Sequence, residues 1–235
     1  MTTDDRRQPP VVFLHGWGGT FASTWQANGF DVGLAGTGRA VVGADLPGHG
    51  PGSHSHDPAD YADLASAVVC PLPEDEAVDG VGFSLGAKVL LEIACREPGR
   101  FRRLVLGGLG ANVFAPERAG EAVAAVLEQG LGDDTPPAVR SLVEYGLAAG
   151  NDPLAIAACL RRPPNPVLTA ERLAAVTCPV LLIAGDADTL AQPLAPLADA
   201  LATVQIEALP GATHLGLPAD RRFRHSAISF LQKAN

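Results

Sequence analysis

A serine between two glycines is the feature of the sequence that most strongly suggests covalent chemistry. Ser84 lies in the segment Gly82-Phe83-Ser84-Leu85-Gly86, between a short apolar run and a run of helix-forming residues. A serine at a tight turn from strand to helix needs a strained backbone, and glycines at 82 and 86 remove the Cβ atoms that would collide there. Such a turn raises the serine Oγ above a sheet, beside the N–H groups of a helix N-terminus. The spacing predicts a nucleophile, although the pattern alone also fits a simple glycine–serine turn.

A base and an acid for this serine follow it in the chain. A serine hydroxyl becomes a good nucleophile when a histidine takes its proton, and a carboxylate orients that imidazole. Two aspartates, Asp186 and Asp188, and then His214 come after Ser84, in the order serine, aspartate, histidine. Each of these positions directly follows a predicted strand. Because the carboxyl ends of parallel strands lie along one edge of a sheet, we expect the side chains to converge there.

Alternating strands and helices are predicted to position these residues. Short apolar runs bounded by glycine and proline predict buried strands at 9–15, 39–45, 78–83, 103–109, 178–185 and 203–209. The third of these is weakened by Asp79-Gly80, a pair that strands disfavour. Helical character is predicted over 20–36, 59–69, from Ser84 to the stop at Glu97-Pro98-Gly99, over 192–202 and over 219–233. The alternation predicts an α/β fold with a mostly parallel sheet flanked by helices.

The alternation of strands and helices stops after the fourth predicted strand. Residues 111–175 contain no clear strand, and helices are predicted at about 116–130, 136–149, 152–162 and 169–176. We therefore predict a core formed by residues 1–110 and 176–235, with a small helical cap inserted at 111–175. The apolar side chains of this cap predict an apolar pocket and a small to medium hydrophobic acyl group; they are Leu127, Leu131, Val139, Leu142, Leu147 and Ile156.

Composition restricts the class of protein. The chain has 235 residues, of which 47% are hydrophobic and 18% charged, so a full core is expected, and with 5% aromatic residues it should be aliphatic. A formal charge of −9, with 17 lysines and arginines, argues against nucleic acid or an anionic membrane as a partner. No run approaches the roughly 18 apolar residues of a membrane helix. The polar start, Met1 to Gln8, and four scattered cysteines (70, 95, 159 and 178) predict a cytoplasmic protein with reduced thiols.

Several other polar residues are expected to be structural. His49 lies in a predicted turn, His54 and His56 are read as loop residues because no ligand-spaced acid or histidine cluster lies nearby, and His225 is read as a surface residue. Lys88, one turn after Ser84, is read as a solvated or snorkelling side chain instead of a catalytic one. No metal or organic cofactor is implied, and the oligomeric state is left open.

Five motifs in one order make the chain similar to the α/β-hydrolase superfamily over nearly its full length. They are His15-Gly16-Trp17-Gly18-Gly19, Asp45-Leu46-Pro47-Gly48-His49-Gly50, Gly82-Phe83-Ser84-Leu85-Gly86, Gly185-Asp186-Ala187-Asp188 and Gly211-Ala212-Thr213-His214. The resemblance implies a triad of Ser84, Asp188 and His214, with Asp186 as the alternative acid. It also implies an oxyanion hole made by the backbone N–H groups of Leu85 and Trp17. Since only about ten residues precede the first strand, the family's two N-terminal antiparallel strands are expected to be missing.

The resemblance implies a serine hydrolase, carboxylesterase-like, that cleaves an ester of a small molecule through an acyl-enzyme. A serine at 84 instead of an aspartate argues against haloalkane dehalogenases and epoxide hydrolases. It leaves open a thioesterase, lactonase, C–C bond hydrolase, perhydrolase, lyase or acyltransferase on the same site. A non-catalytic ligand receptor of the same fold is the alternative outside the enzymes.

Overall fold

A parallel sheet forms the centre of the molecule. The computed structural model describes residues 8–69, 76–115, 120–163 and 168–233. The strands are β1 (Val11–Leu14), β2 (Val41–Ala44), β3 (Val78–Phe83), β4 (Phe101–Gly107), β5 (Val180–Gly185) and β6 (Val204–Leu209). They lie in the order β2-β1-β3-β4-β5-β6, and every neighbouring pair is parallel. The predicted α/β class is confirmed, and no antiparallel strand occurs in the described part of the chain.

Helices cover both faces of this sheet. They are α1 (Phe30–Ala35), α2 (Leu64–Val69), α3 (Leu85–Arg96), α4 (Gly120–Gln129), α5 (Pro137–Ala148), α6 (Pro153–Leu160), α7 (Ala170–Leu173), α8 (Ala195–Asp199) and α9 (Arg221–Leu231). The helix predicted over 20–36 is divided into a π-helical turn, Ala22–Gln26, and α1. The division falls at Gly29, whose φ of 72° lies in the left-handed region that a continuous helix cannot use. None of the helices within the described ranges has both the length and the apolar character needed to cross a bilayer.

Two different hydrophobic layers sandwich the sheet. Side chains alternate along each strand, so Val12 and Leu14 of β1 face one layer while Val11 and Phe13 face the other. The layer under α2, α3, α7 and α8 is mainly aliphatic, as predicted. The opposite layer is not, because it collects a large share of the aromatic residues: Phe13, Trp25, Phe30, Phe83, Phe223 and Phe230. The low overall aromatic content therefore misled the prediction of an aliphatic core, since the rings are concentrated on one face.

The β4–β5 segment, residues 108–179, contains α4 to α7. Side chains of α4, α5 and α6 form a separate apolar cluster that includes Val123, Val143 and Ile156. The helix α6 begins where the sequence has an acid before a proline: Asp152 accepts a hydrogen bond from the Leu154 N–H, and Pro153 takes the first helical position. The start of the first predicted helix, 116–119, lies outside the described residues. The division into a core and a cap stays a prediction.

No disulfide links the described cysteines. Cys159 and Cys178 are buried and Cys95 is half-buried, while Cys70 lies outside the described residues. Burial raises the pKa of the Cys178 thiol to about 11, so this thiol is protonated and unreactive at neutral pH.

Candidate active site

Ser84 sits on a strained turn between β3 and α3. Its φ of 49° and ψ of −112° make it the one non-glycine residue with positive φ in the described chain. The two flanking glycines allow this turn, because a Cβ at Gly82 would lie 2.6 Å from Ala87 Cα and one at Gly86 would overlap the Leu14 carbonyl oxygen. The close approaches agree with the reason the sequence suggested for each glycine. Strain of this kind persists where the surrounding structure enforces it and is common at functional sites.

The structure brings the predicted serine, histidine and aspartate together at the carboxyl edge of the sheet. Ser84 Oγ lies 3.0 Å from His214 Nε2, and His214 Nδ1 lies 2.8 Å from Asp188 Oδ2. The Asp188 side chain is fully buried, whereas His214 retains 11% of its side-chain exposure. With the Nδ1 proton donated to Asp188, the Nε2 lone pair faces the serine hydroxyl. The three groups form one hydrogen-bonded chain that leads from the buried carboxylate to the exposed edge of the site.

The two candidate acids have different environments. Asp188 Oδ1 accepts hydrogen bonds from the N–H groups of Leu190 and Ala191, both 3.0 Å away, which leaves Oδ2 for His214. Asp186 is exposed and accepts a hydrogen bond from the Gly211 N–H at 2.7 Å. Asp186 therefore braces the loop that carries His214, and Asp188 is the acid in contact with the imidazole.

Packing fixes the plane of the His214 ring. The Phe83 ring lies against it, with 5.0 Å between the ring centroids and 38° between the planes. A Cβ at Gly108 would lie 3.1 Å from His214 Cε1 and 2.8 Å from the Phe83 ring, so a larger residue there would push the imidazole aside. The imidazole is held by Asp188 at one nitrogen and by these two neighbours on its faces and edge.

The loop after β1, residues 15–19, presents the Trp17 backbone N–H that the resemblance assigned to an oxyanion hole. The Gly16 carbonyl oxygen accepts hydrogen bonds from His15 Nδ1 at 2.7 Å and from the Gly19 N–H at 3.1 Å. In a trans peptide the N–H points opposite to the C=O, so the Trp17 N–H points away from the His15 ring. Neither this N–H nor that of Leu85, the first residue of α3, has a hydrogen-bond partner among the described residues. Both donors are therefore available to an added group.

Two buried histidines support this loop. His15 Nε2 accepts the Leu46 N–H at 2.9 Å, and His49 Nε2 accepts the Gly18 N–H at 3.0 Å. Each ring therefore carries its proton on Nδ1, which donates to a carbonyl oxygen, that of Gly16 or that of Pro47. Burial lowers the pKa of His15 to about 4, and burial together with repulsion from His15 lowers the pKa of His49 to about 3. The predicted structural role of His49 is consistent with these contacts.

These two histidines predict a loss of stability in mild acid. The folded state keeps both rings neutral, whereas in the unfolded chain they bind protons below a pKa of about 6.5. Stability is therefore fully present above pH 6.5 and falls as the pH drops toward about 4 for His15 and about 3 for His49. At pH 5 we expect each of the two histidines to lower the free energy of unfolding by about 2 kcal/mol relative to pH 8. Urea unfolding at pH 8, 6 and 5 measures this slope.

A substitution at His49 separates this effect from ordinary acid denaturation. His49→Asn replaces one titrating ring by a neutral amide that can still form hydrogen bonds. The stability of this variant should therefore fall less steeply between pH 6 and pH 5. The exposed His225 provides the matched control, and His225→Asn should keep the slope of the unchanged protein. Equal slopes for the two variants would contradict the assignment.

A cavity of about 300 Å³ opens beside Ser84 and His214. Trp17 forms part of its wall and donates its indole N–H to the Ile156 carbonyl oxygen at 3.0 Å, so its side chain is both a wall and a link to α6. Besides Ser84 and His214, Lys88 and Asn112 contribute the polar side chains of the described lining. The remaining lining residues are apolar or glycine: Trp17, Phe83, Leu85, Ala115, Gly120, Val123, Leu142, Leu160, Leu190 and Leu215.

The apolar residues expected to form a lid contribute less to this cavity than predicted. Leu142 lines it, but Leu127 and Ile156 are buried in the cluster between α4, α5 and α6. Leu131 and Leu147 are exposed by 39% and 42%, respectively. Helical periodicity identifies the apolar residues, and the packing of the helices against each other decides which of them remain for the cavity.

The loop histidines bind protein groups. His54 Nε2 lies 3.0 Å from the Gly50 carbonyl oxygen, and His56 Nε2 lies 2.8 Å from Asp152 Oδ2, which joins the 51–57 loop to α6. Across the part of the chain that the structure describes, no three His, Cys, Asp or Glu residues form a group able to hold a metal ion. Asp45 accepts a hydrogen bond from the Phe21 N–H at 2.6 Å.

Known proteins with sequences similar to this chain include esterases. The pimeloyl-[acyl-carrier protein] methyl ester esterase of Methylococcus capsulatus is 41% identical over 102 residues, which are 43% of this chain and 37% of that protein. The chain thus spans well under half of that relative's length. The enzyme of the same name from Nitrosospira multiformis is 26% identical, and the match covers 88% of each chain.

A solved structure and a family model extend the comparison over the whole fold. NosK from Streptomyces actuosus is 25% identical, with a TM-score of 0.67 over 94% of this chain and 97% of that chain. Residues 11–224, from the first residue of β1 into α9, match the model of the alpha/beta hydrolase family. That range includes the strained serine turn, the loop after β1 and the residues that hold the imidazole, and the chain belongs to the alpha/beta hydrolase family.

Proposed function

We propose that this protein is a serine esterase of the carboxylesterase type. Ser84 attacks the carbonyl carbon of an ester, and His214 Nε2 takes the hydroxyl proton as the C–O bond forms. His214 then returns this proton to the leaving alcohol, and Asp188 holds the imidazole and stabilises its charged form. Water, activated by His214, releases the acid from the acyl-enzyme. The hydrogen-bonded chain from Ser84 Oγ through His214 to Asp188 is the observation that carries the proposal.

The oxyanion hole of this proposal consists of the Trp17 and Leu85 N–H groups. Negative charge develops on the carbonyl oxygen as Ser84 attacks, and two fixed backbone donors stabilise it without rearrangement. Support comes from the absence of hydrogen-bond partners for these groups within the described chain and from the direction of the Trp17 N–H. Each donor is expected to contribute about 3 kcal/mol to the stabilisation of the transition state.

The proposed substrate is small to medium in size and mainly apolar. A cavity of about 300 Å³ lies at the low end of the range of small-molecule sites, and most of its described wall is apolar. The relatives named as methyl ester esterases support an ester with a small alcohol group. The names of these relatives also refer to an acyl-carrier protein.

Covalent labelling tests the proposal against a receptor that binds ligands without chemistry. A fluorophosphonate should form one adduct per chain, and peptide mass spectrometry should locate it on Ser84. A short apolar ester should slow the labelling by competition more effectively than its analogue with a terminal carboxylate. Reversible binding without an adduct would favour the receptor, and stronger protection by the charged ester would contradict the apolar substrate.

A further inference from the structure

We propose that Asn151, from the β4–β5 segment, is a positioning residue for the oxyanion site. Its side chain binds the loop of residues 15–19 from the β4–β5 segment, whereas the buried rings of His15 and His49 bind backbone groups of the same loop from the core side. The inference rests on the proposed function, because it concerns the Trp17 N–H of the oxyanion hole. It makes the β4–β5 segment part of the catalytic apparatus in addition to a wall of the cavity.

The Asn151 amide is buried, and both of its polar atoms are hydrogen-bonded. The residue is 6% exposed. Its Oδ1 accepts the Gly50 N–H at 2.8 Å, and its Nδ2 donates to the Gly18 carbonyl oxygen at 2.8 Å and the Gly146 carbonyl oxygen at 2.9 Å. One side chain thus connects the loop after β1, the turn after β2 and the end of α5. Since every partner is a buried backbone group, removing the amide would leave donors and acceptors without replacements.

The Gly18 contact completes a set of restraints on consecutive peptide groups. The Gly16 carbonyl oxygen is held by His15, the Gly18 N–H by His49, and the Gly18 carbonyl oxygen by Asn151. Glycines at 16, 18 and 19 leave this loop few side chains of its own to restrict it, and Gly18 has a φ of 78°. External hydrogen bonds must therefore define the orientation of the Trp17 N–H, and Asn151 supplies one of them.

A second contact from the same segment acts on the residue that carries the donor. The Trp17 indole donates to the Ile156 carbonyl oxygen of α6, five residues after Asn151. Gly18 also packs closely on Gly146, since a Cβ on Gly18 would lie 3.1 Å from Gly146 Cα. The β4–β5 segment therefore holds the loop at both Trp17 and Gly18, so a shift of α5 or α6 would be transmitted to the oxyanion donor.

Loss of Asn151 should weaken transition-state binding more than substrate binding. Asn151 is not among the residues that line the cavity, so the surface that holds the substrate stays intact. A donor displaced by a fraction of an ångström still contacts a neutral carbonyl oxygen but stabilises the developing oxyanion less well. The expected signature is a lower kcat with little change in KM.

The test compares Asn151→Ala with Asp152→Ala, a change in the adjacent residue. Asp152 caps α6 and binds His56, whereas the Gly18 carbonyl oxygen is held by Asn151, so the loss of Asp152 weakens the same segment without releasing Gly18. Both variants are assayed with an activated ester well below their melting temperatures. A boronic acid, which forms a tetrahedral adduct with the serine, is measured as an inhibitor.

We expect Asn151→Ala to lower kcat about tenfold and to lower the affinity for the boronic acid by about the same factor. The KM should stay within a factor of two of that of the unchanged protein. Asp152→Ala should keep both values within a factor of two of the unchanged protein. Asn151→Ser, which is uncharged and keeps a small polar group at the buried position, should show the same loss if the alanine variant does not fold. Unchanged kcat and boronic acid affinity in the Asn151 variants would overturn the inference. Failure of the unchanged protein to hydrolyse any ester would overturn the proposed function.

Discussion

Replacing Ser84 by alanine is expected to reduce kcat for ester hydrolysis about 10⁶-fold. The substitution removes the Ser84 hydroxyl, whose oxygen lies 3.0 Å from His214 Nε2, so no acyl-enzyme can form. The turn itself should persist, because alanine fits the space of serine and meets the same strain at a φ of 49°. The measurement is steady-state hydrolysis of a short activated ester, together with circular dichroism to show that the variant is folded.

Three further variants test whether the three side chains act as one unit. His214→Ala should cost nearly as much as Ser84→Ala, and the double variant should lose no more than either alone, because each step needs both groups. Asp188→Asn should cost about 10⁴-fold, since the amide would favour the wrong tautomer of His214. Ser226→Ala on α9, which removes a half-buried hydroxyl bound to Glu207, is the matched control and should leave the rate unchanged. Equal rates for Ser84→Ala and the unchanged protein would remove Ser84 as the nucleophile.

The sequence predicted which strands the residues of this site follow better than it predicted the boundaries of the elements. Ser84 and His214 could be located because each follows an apolar run with a glycine-rich turn, a local signal that tertiary contacts do not change. Strand β4 begins at Phe101 instead of the expected Arg103, because Phe101 pairs with Val78 across the sheet. That pairing involves residues far apart in the chain, so the local pattern could not reveal it.

Contacts between loops were the part of the site that the sequence did not reveal. Asn151 carries no motif, and its partners Gly18 and Gly50 lie more than a hundred residues before it. The aspartate and proline at 152 and 153 are a recognisable signal for the start of α6. They do not indicate which contacts the side chain of Asn151 makes. Likewise, the choice between Asp186 and Asp188 depended on the resemblance, because only the folded loop shows which carboxylate meets the imidazole.

Asp79 shows how a residue that weakens a predicted strand can be explained by its partners. Its side chain is fully buried in β3, where Arg39 Nη2 and Arg102 Nη2 each lie 2.5 Å from Oδ2. Both guanidinium groups also donate to the Leu231 carbonyl oxygen at the end of α9. The acid thus joins two strands to the last helix at the edge of the sheet opposite Ser84. A charge at this position is disfavoured by strand propensity but is compatible with burial once two cations are present.

Asp79→Ala is therefore expected to lower the free energy of unfolding by about 3–5 kcal/mol. The change leaves the Arg39 guanidinium, whose side chain is fully buried, next to Arg102 without a counter-charge. For a chain of this size the loss corresponds to a decrease in melting temperature of roughly 10 °C. Urea and thermal unfolding measure it. Glu121→Ala provides the matched control, because Glu121 pairs with Arg161 at the surface, where the two side chains are 69% and 28% exposed, and such pairs contribute little to stability.

A second substitution distinguishes a buried unpaired charge from a simple loss of packing. Adding Arg39→Met to Asp79→Ala removes the uncompensated guanidinium and fills much of its volume with an apolar side chain. If the charge causes the instability, the double variant should be more stable than Asp79→Ala alone, although it lacks a further hydrogen-bonding residue. If the cavity causes it, the second change should add to the loss. Because Asp79 lies at the amino-terminal end of β3, far from the Ser84 turn at its carboxyl end, the folded variants should keep the kcat of the unchanged protein.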